Sequence, residues 1–324
     1  MGKVAAIFVK GLALILLLLV AAYIIVDLRA RPFDDKAKEQ APGAFLTTPS
    51  GQLHYRWHGN GSGPVIVMAH GFSTPNFIFE QNAAALTEAG FRVLTFDHFG
   101  RGWSDRPKTK YDRDFYDQEL LDLLNGLELT EPVGLVGLSM GGIIAAEFTA
   151  RHPERVSKLF LFVSAGLTLG TEAGDTNDTL IRTPIIGDWI WRIFGKRIVL
   201  GDRQYDESQR EPENRLAGDV SEQMAYRGYF RALLSTYRHL PLRDQDAVFT
   251  RLEGTGVPVM AVYGGKDETV LPESADRLRA LIPAATIELL PEGEHGLNYQ
   301  MHTLTNPLLI DYFAADADNT QYSD

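Results

Sequence analysis

Val136-Gly137-Leu138-Ser139-Met140-Gly141-Gly142 is the stretch from which the rest of the chain can be read. It holds the spacing G-x-S-x-G. Before it runs the apolar segment Val133-Gly134-Leu135-Val136, and after it comes Met140 to Arg151, rich in Ala and Ile and closed by Pro153. A short apolar run, a glycine-flanked serine and a helical pattern together predict a strand, a sharp turn and a helix. In so tight a turn the serine backbone is strained, and side chains in place of the flanking glycines would clash. The turn lifts the hydroxyl above the strand end and aims the free N–H groups of the following helix at developing negative charge.

Working outward, the same rhythm repeats. Phe45 to Thr48 and Gln52 to Trp57 read as two strands joined by the Pro49-Ser50-Gly51 turn. Val65 to Met68, Val93 to Phe96, Leu159 to Val163, Val257 to Tyr263 and Thr286 to Leu290 are short apolar runs of the kind found in buried parallel strands. Helical patterns lie between them: Asp112 to Leu127 carries a stripe of leucines, Pro272 to Leu281 opens on proline, and Leu308 to Ala315 is the expected last helix. Strands alternating with helices predict an α/β architecture with a mostly parallel central sheet and helices on both faces. Residues 167–253 break the rhythm. They contain helical, aromatic material, with Trp189, Trp191, Phe194, Tyr205, Tyr226, Tyr229, Phe230 and Tyr237, and read as an inserted helical cap. Some of those rings are expected simply to pack the cap onto the core.

The N-terminus is of another kind. Val4 to Val26 is apolar apart from Lys10. At about 1.5 Å per residue a helix of this length is roughly 34 Å long, enough to cross a hydrocarbon core. The run is longer than the apolar region of a cleaved signal peptide and leads into Asp27-Leu28-Arg29-Ala30-Arg31-Pro32 with no small-residue cleavage pattern. A retained single-pass membrane anchor over residues 1–26 is therefore expected. A linker over 27–43, a core over 44–166 and 254–316, the cap over 167–253 and a tail over 317–324 complete the organisation. Counting Lys and Arg alone places the flank with Arg29, Arg31, Lys36 and Lys38 inside. The leader is so short that signal-anchor insertion is open as well, and the reading leans slightly towards an extracytoplasmic catalytic domain.

Composition adds exclusions. Of 324 residues 45% are hydrophobic and 23% charged, ordinary for a globular protein. The absence of cysteine removes disulfides, thiolate metal sites and cysteine nucleophiles. The formal charge of −11, with no Lys/Arg stripe or tail, makes nucleic acid an unexpected partner. It also implies that the soluble part avoids anionic surfaces. With no H-E-x-x-H and no phosphate-cradling G-x-x-x-x-G-K, neither a metal nor any other cofactor is expected.

From about residue 45 to 316 the chain resembles the α/β-hydrolase family, and each further motif bears on that resemblance. His70-Gly71-Phe72 follows the Val65 to Met68 strand. The resemblance implies that the N–H of Phe72 and that of Met140, just after the nucleophile, form the oxyanion hole, with His70 positioning the loop. Such donors are worth about 3–4 kcal/mol each in barrier terms. Asp97-His98-Phe99-Gly100-Arg101-Gly102-Trp103-Ser104 looks like the family's D-x-x-G-x-G-x-S turn, a scaffold element, with His98 read as a surface histidine. A serine needs an adjacent base. Among eight histidines, His295 stands in the loop after the last strand, where the family places its base, and His302 reads as structural. The carboxylate that holds the base follows the strand ending at Tyr263: Asp267 fits, with Glu268 as the alternative. The order Ser139, Asp267, His295 is the family's order.

A serine nucleophile makes dehalogenase and epoxide hydrolase chemistry unexpected, since those relatives use a carboxylate. The resemblance implies acyl transfer on a small-molecule ester. The anchor beside an apolar cap points to lipid-like esters of the monoacylglycerol type, the arrangement of membrane-attached monoacylglycerol lipases. Carbon–carbon bond hydrolysis, thioesterase and peroxidase-like activities remain open. Relatives that cleave carbon–carbon bonds share Ser-Met-Gly-Gly but follow the histidine with tryptophan, where this chain has Gly296. A non-catalytic binding protein on the same scaffold is the alternative of another class.

Overall fold

The computed structural model describes residues 2–170, 176–201 and 216–315. The expected tail at 317–324, and Tyr205 of the aromatic cap set, lie outside the described residues. Eight strands make one sheet: β1 Ala44–Thr48, β2 Gly51–His58, β3 Val65–Ala69, β4 Arg92–Phe96, β5 Val133–Leu138, β6 Val156–Phe162, β7 Val259–Gly264 and β8 Thr286–Leu290. Their spatial order is β1-β2-β4-β3-β5-β6-β7-β8. β1 and β2 form an antiparallel hairpin, and β2 is antiparallel to β4. Every other pair is parallel. The expected mostly parallel sheet is therefore present, with an antiparallel edge built by the hairpin that the Pro49-Ser50-Gly51 turn closes.

The period of two in the strands divides the core. Val67, Ala69, Val133 and Leu135 face one layer of helices, which includes Arg113–Gly126 and Met140–Arg151. Ile66, Met68, Val136 and Leu138 face the other, with Glu80–Glu88 and His302–Ala314. Both faces of the central strands are covered, so β5 is buried along its whole length. The last helix starts at His302, well before the Leu308 that the apolar pattern marks, and carries Pro307 inside it.

Between β6 and β7 the described residues hold the helices Thr176–Arg182, Ile186–Leu200, Leu216–Met224, Tyr229–His239 and Asp246–Glu253. The last of these packs on Met140–Arg151, with Val248, Phe249 and Leu252 buried in the same cluster as the core helices. It thus lies on the sheet's own helical layer and not over its mouth. The stripe Val248, Phe249, Leu252 is what carries it there.

The N-terminal helix spans Gly2–Arg29. Its segment Val4–Val26, 23 residues with a mean hydropathy of 2.8 and none of it buried, is long and apolar enough to cross a membrane. It packs beside the cap helix Ile186–Leu200. The Trp189 indole N–H donates to the Leu19 carbonyl at 3.1 Å, and the Arg192 guanidinium lies 4.2 Å from the Tyr23 ring centre. Beyond the helix, the Arg31 backbone bridges to the Ala225–Arg227 segment at 2.8 Å in each direction.

The turn after β4 is held by a buried carboxylate. Asp97 accepts the N–H groups of Asn76 at 2.8 Å and Trp103 at 2.9 Å, and pairs with His54 at 2.7 Å. Burial alone would raise its pKa, but the His54 charge and these hydrogen bonds outweigh it and hold the carboxyl at about 2, below the ordinary 3.8. The stabilisation from this shift is complete above the ordinary carboxylate range and is lost as pH falls through about 2. Asp97→Asn leaves His54 buried without its counter-charge, so it is expected to cost about 3–5 kcal/mol in urea unfolding at pH 7. That difference from the parent should narrow as the pH approaches 2. A loss under about 1 kcal/mol at pH 7 would contradict the assignment.

Candidate active site

Ser139 stands between β5 and the helix Met140–Arg151 with φ +52° and ψ −116°. A non-glycine residue in this region carries strain of about 1–3 kcal/mol and needs surrounding structure to hold it. The sheet supplies that support. The Ser139 N–H donates to the Phe162 carbonyl at 2.9 Å, and the Ser139 carbonyl accepts from Ala165 N–H at 2.9 Å and Gly142 N–H at 2.9 Å. The flanking glycines are fixed by space. A Cβ on Gly137 would lie 2.5 Å from the Gly141 carbonyl oxygen, and one on Gly141 would lie 2.1 Å from that of Ala69.

Three loops from the carboxyl ends of β5, β7 and β8 meet here, the place where parallel α/β sheets gather their ligands. The Ser139 Oγ is 3.0 Å from His295 Nε2, and His295 Nδ1 is 2.9 Å from Asp267 Oδ2. Asp267 is buried, and its other oxygen accepts the N–H groups of Thr269 at 2.8 Å and Val270 at 2.9 Å. It is therefore Asp267, not Glu268, that meets the imidazole. With Asp267 accepting from Nδ1–H, Nε2 is left with its lone pair towards the hydroxyl, as a base requires. His302 instead contacts the Tyr299 carbonyl at 3.1 Å. His54 sits in the Asp97 network, and His152 pairs with Asp117 at 3.2 Å.

Gly71 and Phe72 line the same pocket as Ser139 and His295, as does Met140. The N–H groups of Phe72 and Met140 donate to no backbone acceptor among the described residues. The pocket, about 350 Å³, is walled largely by apolar groups, among them Leu138, Leu169, Trp191, Val199 and Leu242. Trp191 from the cap stacks with Tyr237 at 6.1 Å and meets the Phe72 ring edge-on at 6.5 Å.

Behind the His70-Gly71-Phe72 turn lies a buried polar network that sequence reading misses. His70 is fully buried, and its Nε2 accepts the His98 N–H at 2.9 Å. Its Nδ1, which must then hold the proton, donates to the Gly71 carbonyl at 2.8 Å. Burial, with His98 and Arg101 nearby, lowers its pKa well below 6.5, so it is neutral. His98 is no surface residue. It is fully buried, with Nδ1 bonded to Glu119, because β4 carries it beneath the turn. Glu119 also accepts the Phe99 N–H at 2.6 Å. Its one advance signal is a carboxylate on the buried side of a helix, one residue before Leu120. Arg101, also fully buried, donates to the Phe72 carbonyl at 3.0 Å and to Thr236 in the cap at 2.9 Å. Tyr229 adds a second strut, its hydroxyl donating to the Ser73 carbonyl at 2.8 Å.

This architecture is the alpha/beta hydrolase fold. A family model described as alpha/beta hydrolase fold matches residues 64–184. A protein of Synechocystis sp. provisionally named a non-heme chloroperoxidase is 28% identical over 268 residues, 78% of this chain and 92% of that one. The 2-hydroxy-6-oxononadienedioate/2-hydroxy-6-oxononatrienedioate hydrolase of Cupriavidus pinatubonensis is 26% identical over 288 residues, 85% of this chain and 96% of the enzyme. An esterase from Exiguobacterium antarcticum superposes with a TM-score of 0.69 at 24% identity, covering 84% of this chain and 99% of its own, a likeness of fold.

Burial pushes the Glu119 carboxyl up to about 8, and burial with the Arg101 charge pushes His98 down to about 3. Both are neutral near pH 7, so an amide can replace the acid without losing a charge. Glu119→Gln is expected to stay within about 1 kcal/mol of the parent in urea unfolding, whereas Glu119→Ala leaves the Phe99 N–H and His98 unpartnered and costs about 2–4 kcal/mol. Equal losses in the two variants would show that the carboxylate is ionised.

Proposed function

We propose that the chain is a serine hydrolase that cleaves carboxylic esters through an acyl-enzyme, with Ser139 as nucleophile, His295 as general base and Asp267 as the carboxylate that orients it. The observation that carries this reading is the continuous run of contacts from Asp267 through His295 to the Ser139 hydroxyl, at 2.9 and 3.0 Å. In the first half-reaction Ser139 Oγ adds to the ester carbonyl while its proton passes to His295 Nε2. The oxyanion is held by the N–H groups of Phe72 and Met140. His295 then gives the proton to the departing alcohol, and water repeats the sequence on the acyl-enzyme.

The apolar walls of the pocket favour an acyl chain over a charged group. We read the substrate as lipid-like, of the monoacylglycerol type, and the N-terminal helix as a retained single-pass anchor. Supporting the anchor is the packing of that helix on the cap through Leu19 and Trp189, Tyr23 and Arg192. Leu19 lies seven residues before Val26, about 10 Å along the helix. The cap residue that reaches it therefore sits at membrane depth. Ile185, Phe194 and Ile198 of the neighbouring cap are 82%, 46% and 40% exposed, surface better matched to lipid than to water. A second reading, carbon–carbon bond hydrolysis, has the Cupriavidus relative in its favour and Gly296 in place of the expected tryptophan against it.

Ser139→Ala is expected to lower ester turnover by about 10⁴-fold or more and to abolish fluorophosphonate labelling; near-normal turnover would refute the nucleophile assignment, and labelling of the unchanged protein that survives the substitution would do the same. Across p-nitrophenyl and glyceryl esters, medium and long acyl chains should be hydrolysed with higher kcat/KM than acetate. A best substrate among the acetates would overturn the lipid-like reading while leaving the esterase intact.

A further inference from the structure

A second, larger cavity of about 1040 Å³ lies away from Ser139, where the N-terminal helix leaves its apolar span. Tyr23 and Val26 form its wall on the helix side, and the Arg106 loop and the Met224–Gly228 segment close the rest. Arg29, Arg31, Arg106, Lys108, Arg227 and Arg231 all line it. Three separate stretches of sequence supply these six cations. They gather on a chain whose formal charge is −11, so overall composition does not explain them.

The two carboxylates in the lining do not neutralise the group. Asp105 is committed to Lys38 at 2.5 Å, and Asp188 to Arg238 at 3.0 Å, and neither partner lines the cavity. Arg106 stacks on Phe33 at 3.6 Å, and its Nη2 donates to the Gly102 carbonyl at 3.2 Å. Its Nε and Nη1 are buried and have no acceptor among the described residues. Burial lowers the Arg106 pKa to about 10, so the group stays charged near neutral pH. Arg231 is held in place by the carbonyls of Pro107 at 2.9 Å and Arg106 at 2.6 Å. A buried guanidinium with two N–H groups that lack an acceptor, amid further cations, is suited to an anion rich in acceptor oxygens such as a phosphate.

Position selects the source of that phosphate. Val26 ends the apolar span, and Arg29 lies three residues, about 4.5 Å, further along the helix. This is the level at which lipid headgroups stand when the helix spans a bilayer. We infer that the cavity between the foot of the N-terminal helix and the cap binds the phosphodiester headgroup of an anionic phospholipid. The inference rests on the reading of that helix as a membrane anchor. Trp191 lines both this cavity and the Ser139 pocket, so a lipid held here lies on the other side of one indole ring from the catalytic pocket.

The test uses the full chain in neutral detergent micelles. Phosphatidylglycerol should raise the Tm by about 3–5 °C and remain as an adduct in native mass spectrometry, with phosphatidylcholine doing neither. In Arg29→Gln/Arg31→Gln/Arg227→Gln, three exposed positions remote from Ser139, the Tm without lipid and fluorophosphonate labelling should stay at the parent level while the phosphatidylglycerol shift is lost. Arg106→Lys, which keeps the charge and removes the two unpartnered N–H donors, should at least halve the shift. Equal stabilisation by phosphatidylcholine, a shift that survives the triple substitution, or the same shift from inorganic phosphate alone would each overturn the lipid assignment. Failure of the anchor reading is seen separately: the parent protein would then leave the membrane pellet on alkaline carbonate washing, whatever the micelle measurements give.

Discussion

A serine in the left-handed region at the end of a buried strand is an unfavourable arrangement, and the rest of the structure is organised around keeping it there. The hydrogen bonds of Ser139 to Phe162 and Ala165 tie its peptide groups to β6 and the loop beyond, so the strain is carried by the sheet and not by a flexible turn. Gly137 and Gly141 let the helix start close against β5 and β3, with the Ala69 carbonyl pressed into the space a side chain would need. A sheet edge would not give this rigidity. β5 has β3 on one side and β6 on the other, and helices on both faces. The hydroxyl is therefore presented at a fixed place, and the Asp267 and His295 loops need only reach that place from β7 and β8.

Chemistry carried by short segments is legible in the sequence, and chemistry assembled from distant ones is not. Each strand of the sheet is a local apolar run, and the residues that meet at Ser139 each follow such a run, so the family resemblance could be carried onto Asp267 and His295 by their order along the chain. The antiparallel edge was visible in the Pro49-Ser50-Gly51 turn. What escaped depends on pairing across the fold. His98 looks like a surface residue until β4 is seen to carry it beneath the turn onto Glu119. Glu119 itself looks like one more charge on a helix until the helix's rotation turns it inward. The reading that an acidic chain avoids anionic surfaces used net charge, which cannot report that Arg31, Arg106 and Arg227 converge. Asp246–Glu253 was grouped with the cap by its place in the chain, although its buried stripe packs it on the core.

The polar network under the Phe72 turn carries the same logic into the loop nearest Ser139. Backbone N–H groups can stabilise an oxyanion only if the peptide planes do not swing, and the His70-Gly71-Phe72 segment has no regular secondary structure to hold it. His70 grips the Gly71 carbonyl, Arg101 the Phe72 carbonyl and Tyr229 the Ser73 carbonyl. With three successive carbonyls engaged on the protein side, the intervening peptide planes are held in place. Buried polar groups thus fix the orientation of the turn in advance, which is what the proposed oxyanion role of Phe72 requires.

Arg101 and Tyr229 also make the cap part of that turn. One guanidinium spans Phe72 and Thr236, and Tyr229 opens the cap helix that ends at His239. The Phe72 ring touches Trp191 on the cap helix that packs against the N-terminal span. A displacement of the cap relative to the sheet would therefore have to break buried hydrogen bonds to the turn beside Ser139 or slide Trp191 across Phe72. Since cores and tight interfaces switch between discrete packings and do not deform smoothly, the contacts at Leu19 and Tyr23 bear on the pocket only through the placement of that one cap helix. Packing of the N-terminal helix and shape of the Ser139 pocket are thus mechanically linked by Ile186–Leu200, which contributes Trp189 and Arg192 to one and Trp191, Ile198 and Val199 to the other.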